Sequence, residues 1–310
     1  MIVYDCDQKD FYAPREHLSI ALGNFDGFHK GHQELLLNTM KTNFKSAVLL
    51  FKSHSSILLL DGPERFLMSL EDKLAFLEKF SIDRVFMKSF DPEFMQMDKD
   101  VFIEDFLMKK LSVKDIVVGR DFRFAKNGQG TIQDLFLASQ KFDLSVNVVD
   151  DILYQDKRIS STRIRNTVEN GGVEEASSML GYPYTIRGKV VTGEGRGGKL
   201  LGFPTANLEL SFPYCLPKDG VYLTRVLLGQ SSELFGLTNI GSNPTFTDSK
   251  MKKIETYILD FNQDIYGRDL ALEFLRFERE DIKFDSVEEL VSQMRADEKL
   301  LRSWIPDFSI

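Results

Sequence analysis

The change of rhythm at Tyr182-Pro183 limits the fold more than any other feature of this sequence. Before it, short apolar runs alternate with amphipathic stretches. LSIALG (18–23), SAVLLF (46–51), RVFMKSF (84–90), DIVVG (115–119) and LSVNVVD (144–150) read as strands. Between them, Lys30 to Met40, residues 70–80, VFIEDFLMKKL (101–111) and TIQDLFLASQKF (131–142) read as helices. Leu35, Leu36 and Met40 are the expected core of the first helix, and Leu74, Leu77 and Phe80 of the second. Ser69 with Asp72 three residues on forms a capping box that starts the second helix. Strands alternating with helices predict βαβ units, a mostly parallel sheet and a Rossmann-like α/β domain. After Tyr182-Pro183, TIRGKVV, GVYLTRVLL, LFGLTNI, IETYILDF and LALEFLRF follow one another, parted by Gly, Pro, Asn and Asp turns. No long helical pattern interrupts them, which predicts an antiparallel barrel or sandwich. One helix closes the chain, capped by Ser286 with Glu289, with Val287, Leu290, Val291 and Met294 on its apolar face. The reading is therefore two domains, 1–183 and 184–310, and 310 residues suffice for two cores.

Charge narrows the partners. A net charge of −8 argues against broad binding to nucleic acid or to an anionic membrane. A local basic pocket for phosphate stays open. Cys6 and Cys215 stand alone, with no zinc spacing and no disulfide framework, so a reducing cytoplasm is the expected home. The opening MIVYDCDQKD is acidic and polar, unlike a secretory leader. No run approaches the roughly 18 apolar residues of a membrane span.

Two of the four histidines stand in GNFDGFHKGH (23–32), between an expected strand and an expected helix. A helix start presents free N–H groups and the positive end of its dipole, and so attracts phosphate. Gly23, Gly27 and Gly31 let the backbone turn and a ligand approach. His29 and His32, at i and i+3, can face one phosphate and donate to a transition state that gains negative charge. The plain alternative is a pair of satisfied histidines. RISSTRIR (158–165) offers a second anion site. Ser160, Ser161 and Thr162 are strong N-cap types, and Arg158, Arg163 and Arg165 supply forked positive charge. Its alternative is a capped, solvated helix.

In the second half, GEGRGGK (193–199) imitates both a P-loop and a dinucleotide fingerprint. Each needs a helix at once, and Pro204 with Thr205 argues against one. The glycines suit a loop that could close over phosphates. In the extended segment PTAN (204–207), Thr205 and Asn207 face the same way and offer hard oxygen donors suited to Mg²⁺ carrying nucleotide phosphates. Glu255, in a strand with apolar neighbours, could take a proton from a substrate hydroxyl. A solvent-facing strand glutamate is the alternative.

These stretches carry a resemblance. GNFDGFHKGH resembles the G-x-F-D-G-x-H-x-G-H signature of bacterial bifunctional FAD synthetases, a form of the nucleotidyltransferase HxGH motif. RISSTRIR resembles that family's ISSTxxR motif, and GRDFRF (119–124) its G-x-D/N-F-x-F segment. GEGRGGKLLGFPTAN (193–207), NIGSNPTF (239–246) and IETYILDF with DIYG (254–267) are similar to the family's riboflavin kinase module. The matches run in family order along nearly the whole chain. The resemblance implies a barrel that phosphorylates riboflavin to FMN with ATP and Mg²⁺, and an α/β nucleotidyltransferase domain that adenylylates FMN to FAD. It implies that His29 and His32 steady the ATP phosphates, helped by Ser161, Thr162 and Arg165. Gly23, Phe25, Asp26, Gly31, His54, Asp121 and Arg158 would line or shape that site. In the barrel, Thr205 and Asn207 would hold Mg²⁺–ATP and Glu255 would be the base. Gly193, Gly195, Arg196 and Gly202 would belong to the 193–203 loop that covers the nucleotide, Pro204 would bind ATP or flavin next to Thr205, and Arg279 would belong to the flavin side. The protein would be a monomer or weak homo-oligomer with no nucleic-acid or membrane partner. Three positions depart from the family pattern: Ser53 and Ser55 replace prolines flanking His54, and Ala125 replaces the glycine after GRDFRF. Three rival readings are a riboflavin kinase with a weakened or inactive first domain, a flavin-binding regulator, and transfer of a nucleotide to a different phosphate, which would leave the kinase motifs unexplained.

Overall fold

The computed structural model describes residues 1–11, 15–52, 65–193, 203–229, 231–242 and 252–308. Internal contacts divide the chain into two units, Met1–Glu64 with Ser69–Ser161, and Arg65–Met68 with Thr162–Ile310.

The first unit is built on a parallel sheet. Its strands are β1 (Ile2–Asp5), β2 (Leu18–Ala21), β3 (Lys45–Phe51), β4 (Arg84–Lys88), β5 (Val113–Gly119) and β6 (Ser145–Val149), in the order β1-β4-β3-β2-β5-β6. The helices α1 (Lys30–Thr39), α2 (Leu70–Lys79), α3 (Phe102–Lys110) and α4 (Ile132–Lys141) lie where the alternation places them. Strands β2, β3 and β5 are almost wholly buried, as strands covered on both faces must be. Leu18, Ile20, Leu49, Phe86, Ile116 and Val118 share one core with the rings of Phe94, Phe102 and Phe106. From β2 the chain runs outward through β3 and β4, then returns to β5 on the other side. The switch point therefore lies between β2 and β5, where such sheets bind ligands beyond the strands' carboxyl ends.

Two expectations need correction here. The acidic opening hides an edge strand: Ile2–Asp5 pairs with β4, and Tyr4 stacks on Phe86 with centroids 5.2 Å apart. Four residues at an edge need no alternating pattern of their own when a neighbouring strand supplies the hydrogen bonds. Met40 is exposed, because α1 ends at Thr39, which is buried instead. Its hydroxyl is satisfied by donating to the Leu36 carbonyl, 2.7 Å away.

Besides Arg65–Met68, the second unit contains two helices, α5 (Ser161–Glu169, from its second residue on) and α6 (Val173–Leu180). A closed antiparallel barrel follows, not a sandwich. It comprises β9 (Tyr184–Val191), β10 (Thr205–Leu210), β11 (Gly220–Leu228), β12 (Ser231–Ser242), β13 (Lys252–Ile258) and β14 (Asp269–Arg279); β7 and β8 are a two-residue pair, Leu153–Tyr154 with Lys157–Arg158, in the first unit. Around the barrel the order is β10-β13-β12-β11-β14-β9, closed by β9 pairing with both β10 and β14. In β13, Ile254, Thr256 and Ile258 are buried while Glu255 and Tyr257 face outward. Inside the wall, the hydroxyls of Thr224, Thr238 and Thr256 form a chain with 2.8 and 2.9 Å steps. Every member of this row is satisfied, which ties three strands together in a dry interior.

The terminal helix is α7 (Val287–Trp304), and Ser286 caps it by accepting from the Glu289 amide. Its expected apolar face is only partly used. Val287 is exposed, and the fully buried positions are Asp297 and Leu301, further along. Leu301 packs with Val221, Leu223 and Leu237 of the barrel. Helix α6 was not expected, although Val173, Ala176 and Leu180 carry a helical spacing and are all buried.

Candidate functional sites

In the first unit, the loop from β2 to α1 is strained and held by its own rings. Phe25, Gly27 and Phe28 have φ of +47°, +85° and +32°. Only glycine takes that region freely; bulky side chains do so where packing over-determines them. Phe25 and Phe28 are fully buried, stack on each other at 5.3 Å, and Phe28 stacks on Phe76 of α2 at 4.8 Å. Two further ties hold the backbone. The Ser161 hydroxyl donates to the Asp26 carbonyl at 2.7 Å, and the buried Lys73 ammonium donates to the Asn24 carbonyl at 3.5 Å. Phe25 and Asp26 are thus under the loop, shaping it, with no exposed surface to offer a ligand.

This framework delivers the histidine pair. His29 is the N-cap of α1: its Nδ1 accepts from the His32 amide at 3.3 Å. Nδ1 then carries no proton, so neutral His29 holds its hydrogen on Nε2 and is a donor there. The two imidazoles stack with centroids 3.8 Å apart. Burial, and then the charge of Arg158, pushes His29 down to about 4. Burial also pushes His32 well down, helped by His29, Lys73 and Arg158. Both are therefore neutral near pH 7. The shut-off Nδ1 of His32 has no partner among the described residues.

From the end of β5, Asp121 meets the Arg158 guanidinium at 2.7 Å, and Asp151 meets it at 3.0 Å. That ion pair holds the Asp121 carboxyl below its ordinary range. The structure thus brings His29, His32, Asp121, Arg158 and Ser161 into one neighbourhood, with Gly31 against the His29 ring. In the second unit, Arg165 donates to the Thr162 hydroxyl at 3.1 Å and Arg163 pairs with Glu175 at 3.2 Å. His54, Ser53 and Ser55 lie outside the described residues. Ala125 does not: it has φ +62° and ψ −169°, a conformation that belongs essentially to glycine. Lys73 is the residue that sequence reasoning missed. It stands inside the apolar stripe of α2, and only its burial beside the loop marks it.

In the barrel, strand register does the assembling. Asn207 of β10 lies opposite Glu255 of β13, and Glu255 lies opposite Asn239 of β12. All three are only partly buried and stand on the outer face, above the threonine row. Thr205 shares this face of β10, and Pro204 is exposed just before it. The Lys253 ammonium lies 2.7 Å from Glu255 Oε1. A side chain at Gly193 would begin 2.2 Å from Asn207 Nδ2, so glycine is needed for the backbone to pass the amide. Gly195, Arg196 and Gly202 lie outside the described residues.

Arg279 has a partner that the sequence did not announce. Its guanidinium grips buried Asp297 at 2.6 and 3.2 Å, bolting α7 to β14, and Gln293 donates to the same carboxylate at 2.6 Å. Beside them, burial and then the Asp297 charge push Glu278 up to about 7.

Comparison with known proteins bears on both sites. A family model described as FAD synthetase matches residues 13–163, and one described as riboflavin kinase matches residues 180–305. A Listeria monocytogenes protein named bifunctional riboflavin kinase/FMN adenylyltransferase is 36% identical, covering 92% of this chain and 91% of its own. The Haemophilus influenzae protein of the same name is 38% identical, covering 90% and 91%. A Streptococcus pneumoniae crystal structure, described as a macrolide-efflux protein, superposes with a TM-score of 0.89 at 32% identity, over 98% of this chain and 100% of that one. Among the described residues here, no helix is long and apolar enough to cross a membrane.

Proposed function

The chain belongs to the bifunctional riboflavin kinase/FMN adenylyltransferase family and is an enzyme of flavin biosynthesis, and from that premise we propose which side chains do the work in each unit. The observation that carries the assignment is the sorting of polar groups into two constellations, one in each unit. One is a histidine pair at a helix start with an Asp121–Arg158 pair; the other is a strand row with a carboxylate at its centre.

In the barrel, riboflavin gives up its ribityl 5′-hydroxyl proton to the Glu255 carboxylate as that oxygen attacks the γ-phosphorus of ATP. ADP leaves, and the product is FMN. Lys253, ion-paired to Glu255, aims the carboxylate. The hydroxyl of Thr205 and the amide oxygen of Asn207 are hard donors on one strand face, and they fit Mg²⁺ carrying nucleotide phosphates. When bound, the ion screens phosphate charge. Gly193 leaves room beside Asn207, Gly195, Arg196 and Gly202 belong to the 193–203 segment assigned to cover the nucleotide, and Pro204 is assigned to ATP or flavin next to Thr205. Arg279 acts by fixing α7 against the flavin side of the barrel.

In the first unit, a phosphate oxygen of FMN attacks the α-phosphorus of ATP and pyrophosphate leaves, giving FAD. Such transfers need positioning and charge neutralisation more than covalent help. His29 donates from Nε2, with His32 beside it, to phosphate oxygens that gain charge. The α1 start adds its free N–H groups. Ser161 is assigned to the same phosphates, and Thr162 and Arg165 are assigned to ATP through the motif they share with the family. Arg158, aimed by Asp121, supplies fixed positive charge, and Gly23, Gly31, Phe25, Asp26 and His54 shape the pocket.

Every group assigned to either reaction comes from one chain, which supports a monomer or weak homo-oligomer. The acidic balance supports small-molecule partners without nucleic acid, and the wide separation of Cys6 and Cys215 along the sequence supports a reducing cytoplasm. The test is incubation with riboflavin, ATP and Mg²⁺, with and without chelator, followed by flavin chromatography. FAD is expected with Mg²⁺ and unreacted riboflavin with chelator. FMN alone would assign catalysis to the barrel only, and unchanged turnover in chelator would remove the metal role from Thr205 and Asn207.

A further inference from the structure

One buried acceptor in the barrel row has no partner among the described residues. Asn239 Oδ1 is shut off from solvent and, among the described residues, nothing donates to it. Orphaned buried amide groups are rare, and each one asks for a partner. Its position narrows what that partner is. Asn239 pairs in register with Glu255, and Glu255 with Asn207, so the three cross β12, β13 and β10 in one line. Asn239 is therefore on the far side of Glu255 from Thr205 and Asn207, the two residues assigned to the nucleotide. It faces the end from which the acceptor hydroxyl must come. Gly241 lies beside it: a Cβ there would begin 3.6 Å from both Asn239 Nδ2 and Asp281 Oδ2, at ordinary contact distance.

We infer that Asn239 is a substrate-binding residue of the kinase site, holding the polyol chain of riboflavin while its terminal hydroxyl lies at Glu255. A carboxamide is suited to a polyol. Its oxygen accepts from one hydroxyl, and its NH₂ donates to the oxygen of a neighbouring one. Adjacent strands lie about 4.8 Å apart, a gap that an extended polyol chain bridges from Asn239 to Glu255. The assignment rests on Glu255 as the base at the terminal hydroxyl. It adds a specificity element: the polyol is read by a group separate from the one that deprotonates it.

The test compares two flavins on the full-length protein. Riboflavin carries the ribityl chain; lumiflavin has the same rings with a methyl group in its place. Binding is followed by flavin fluorescence for wild type, Asn239→Leu and Asn239→Ser. Loss of a good hydrogen-bonding pair in a site predicts a riboflavin Kd weakened about tenfold in Asn239→Leu. Lumiflavin binding should not move, and it reports that the site is still folded. The kinase KM for riboflavin should rise in step, with KM for ATP and the conversion of FMN to FAD retained. Asn239→Ser, smaller and polar, keeps the test readable if the leucine variant does not fold. Equal weakening of both flavins, or of neither, would overturn the assignment. Glu255→Gln, assayed in parallel, separates the two readings: near-normal turnover there would sink the base assignment, while an effect confined to riboflavin in Asn239→Leu would still stand.

Discussion

The two units solve phosphate chemistry in opposite ways. In the first, the candidate histidines are buried at a loop that bends through three positive-φ residues, and burial moves their proton affinity far from the ordinary value. In the barrel, the groups stand on the outer face of regular strands, partly open to solvent and aligned by register. A loop site can aim backbone and imidazole N–H groups at one point, but its strain must be held by packed rings such as Phe25, Phe28 and Phe76. A strand row needs no strain, and its geometry is as stiff as the barrel beneath it.

The largest expected effect separates the units cleanly. Glu255→Gln should lower riboflavin phosphorylation by about 10²- to 10⁴-fold, the usual worth of a general base, and leave conversion of supplied FMN to FAD unchanged. Assaying both half-reactions on one preparation checks it. Next, His29→Ala or His32→Ala should cut FAD formation by about 10²-fold or more, with FMN formation retained. Parallel loss of both activities would mean that the histidines serve folding, and that the contrast drawn between the sites is misplaced.

A smaller effect concerns acid and alkali. His29 is held at about 4 in the folded protein against an ordinary 6.5. Its contribution to stability is therefore full above pH 6.5 and declines as pH falls from there through 4. Glu278 runs the other way. Held at about 7 against 4.5, it contributes fully below pH 4.5 and loses that contribution as pH rises through 7. Hydrogen exchange, corrected for its intrinsic pH dependence, should thus show peptides around residues 25–32 protected less at pH 5 than at pH 7. Peptides around β14 and α7 should be protected less at pH 8 than at pH 5. Matching trends in the two regions would dissolve the comparison.

The smallest effect tests strain alone. Ala125 occupies a glycine conformation, at φ +62° and ψ −169°. Relief of that strain outweighs the greater freedom of glycine in the unfolded chain, so Ala125→Gly should stabilise the protein by about 1 kcal/mol. Urea unfolding of the two proteins measures the difference. Destabilisation instead would show that the surrounding loop has adapted to alanine.

Much of this molecule was legible in its residues because it depends on short-range chemistry. Period alone separated the parallel sheet from the barrel. Ser69 with Asp72, and Ser286 with Glu289, marked helix starts that the structure bears out. The glycine-framed histidine pair marked a helix start beyond a buried strand, because a cap and a turn are made by neighbours in sequence. What escaped was whatever depends on partners far along the chain. Ile2–Asp5 is a strand only because β4 pairs with it, and Met40 was expected in the core because periodicity does not say where a helix stops. Lys73 reads as the polar member of an amphipathic helix, yet it lies under a loop that begins fifty residues earlier. Asp297 reads as one more helix acid, yet burial against Arg279 decides its role. Sequence by itself determined the elements, their alternation and the chemical types available, since these follow from backbone propensity, patterning and side-chain chemistry. Tertiary structure alone decided which strand lies opposite Glu255, which ammonium is desolvated and how far burial lowers each imidazole's proton affinity, since register, burial and electrostatics arise only when distant residues meet.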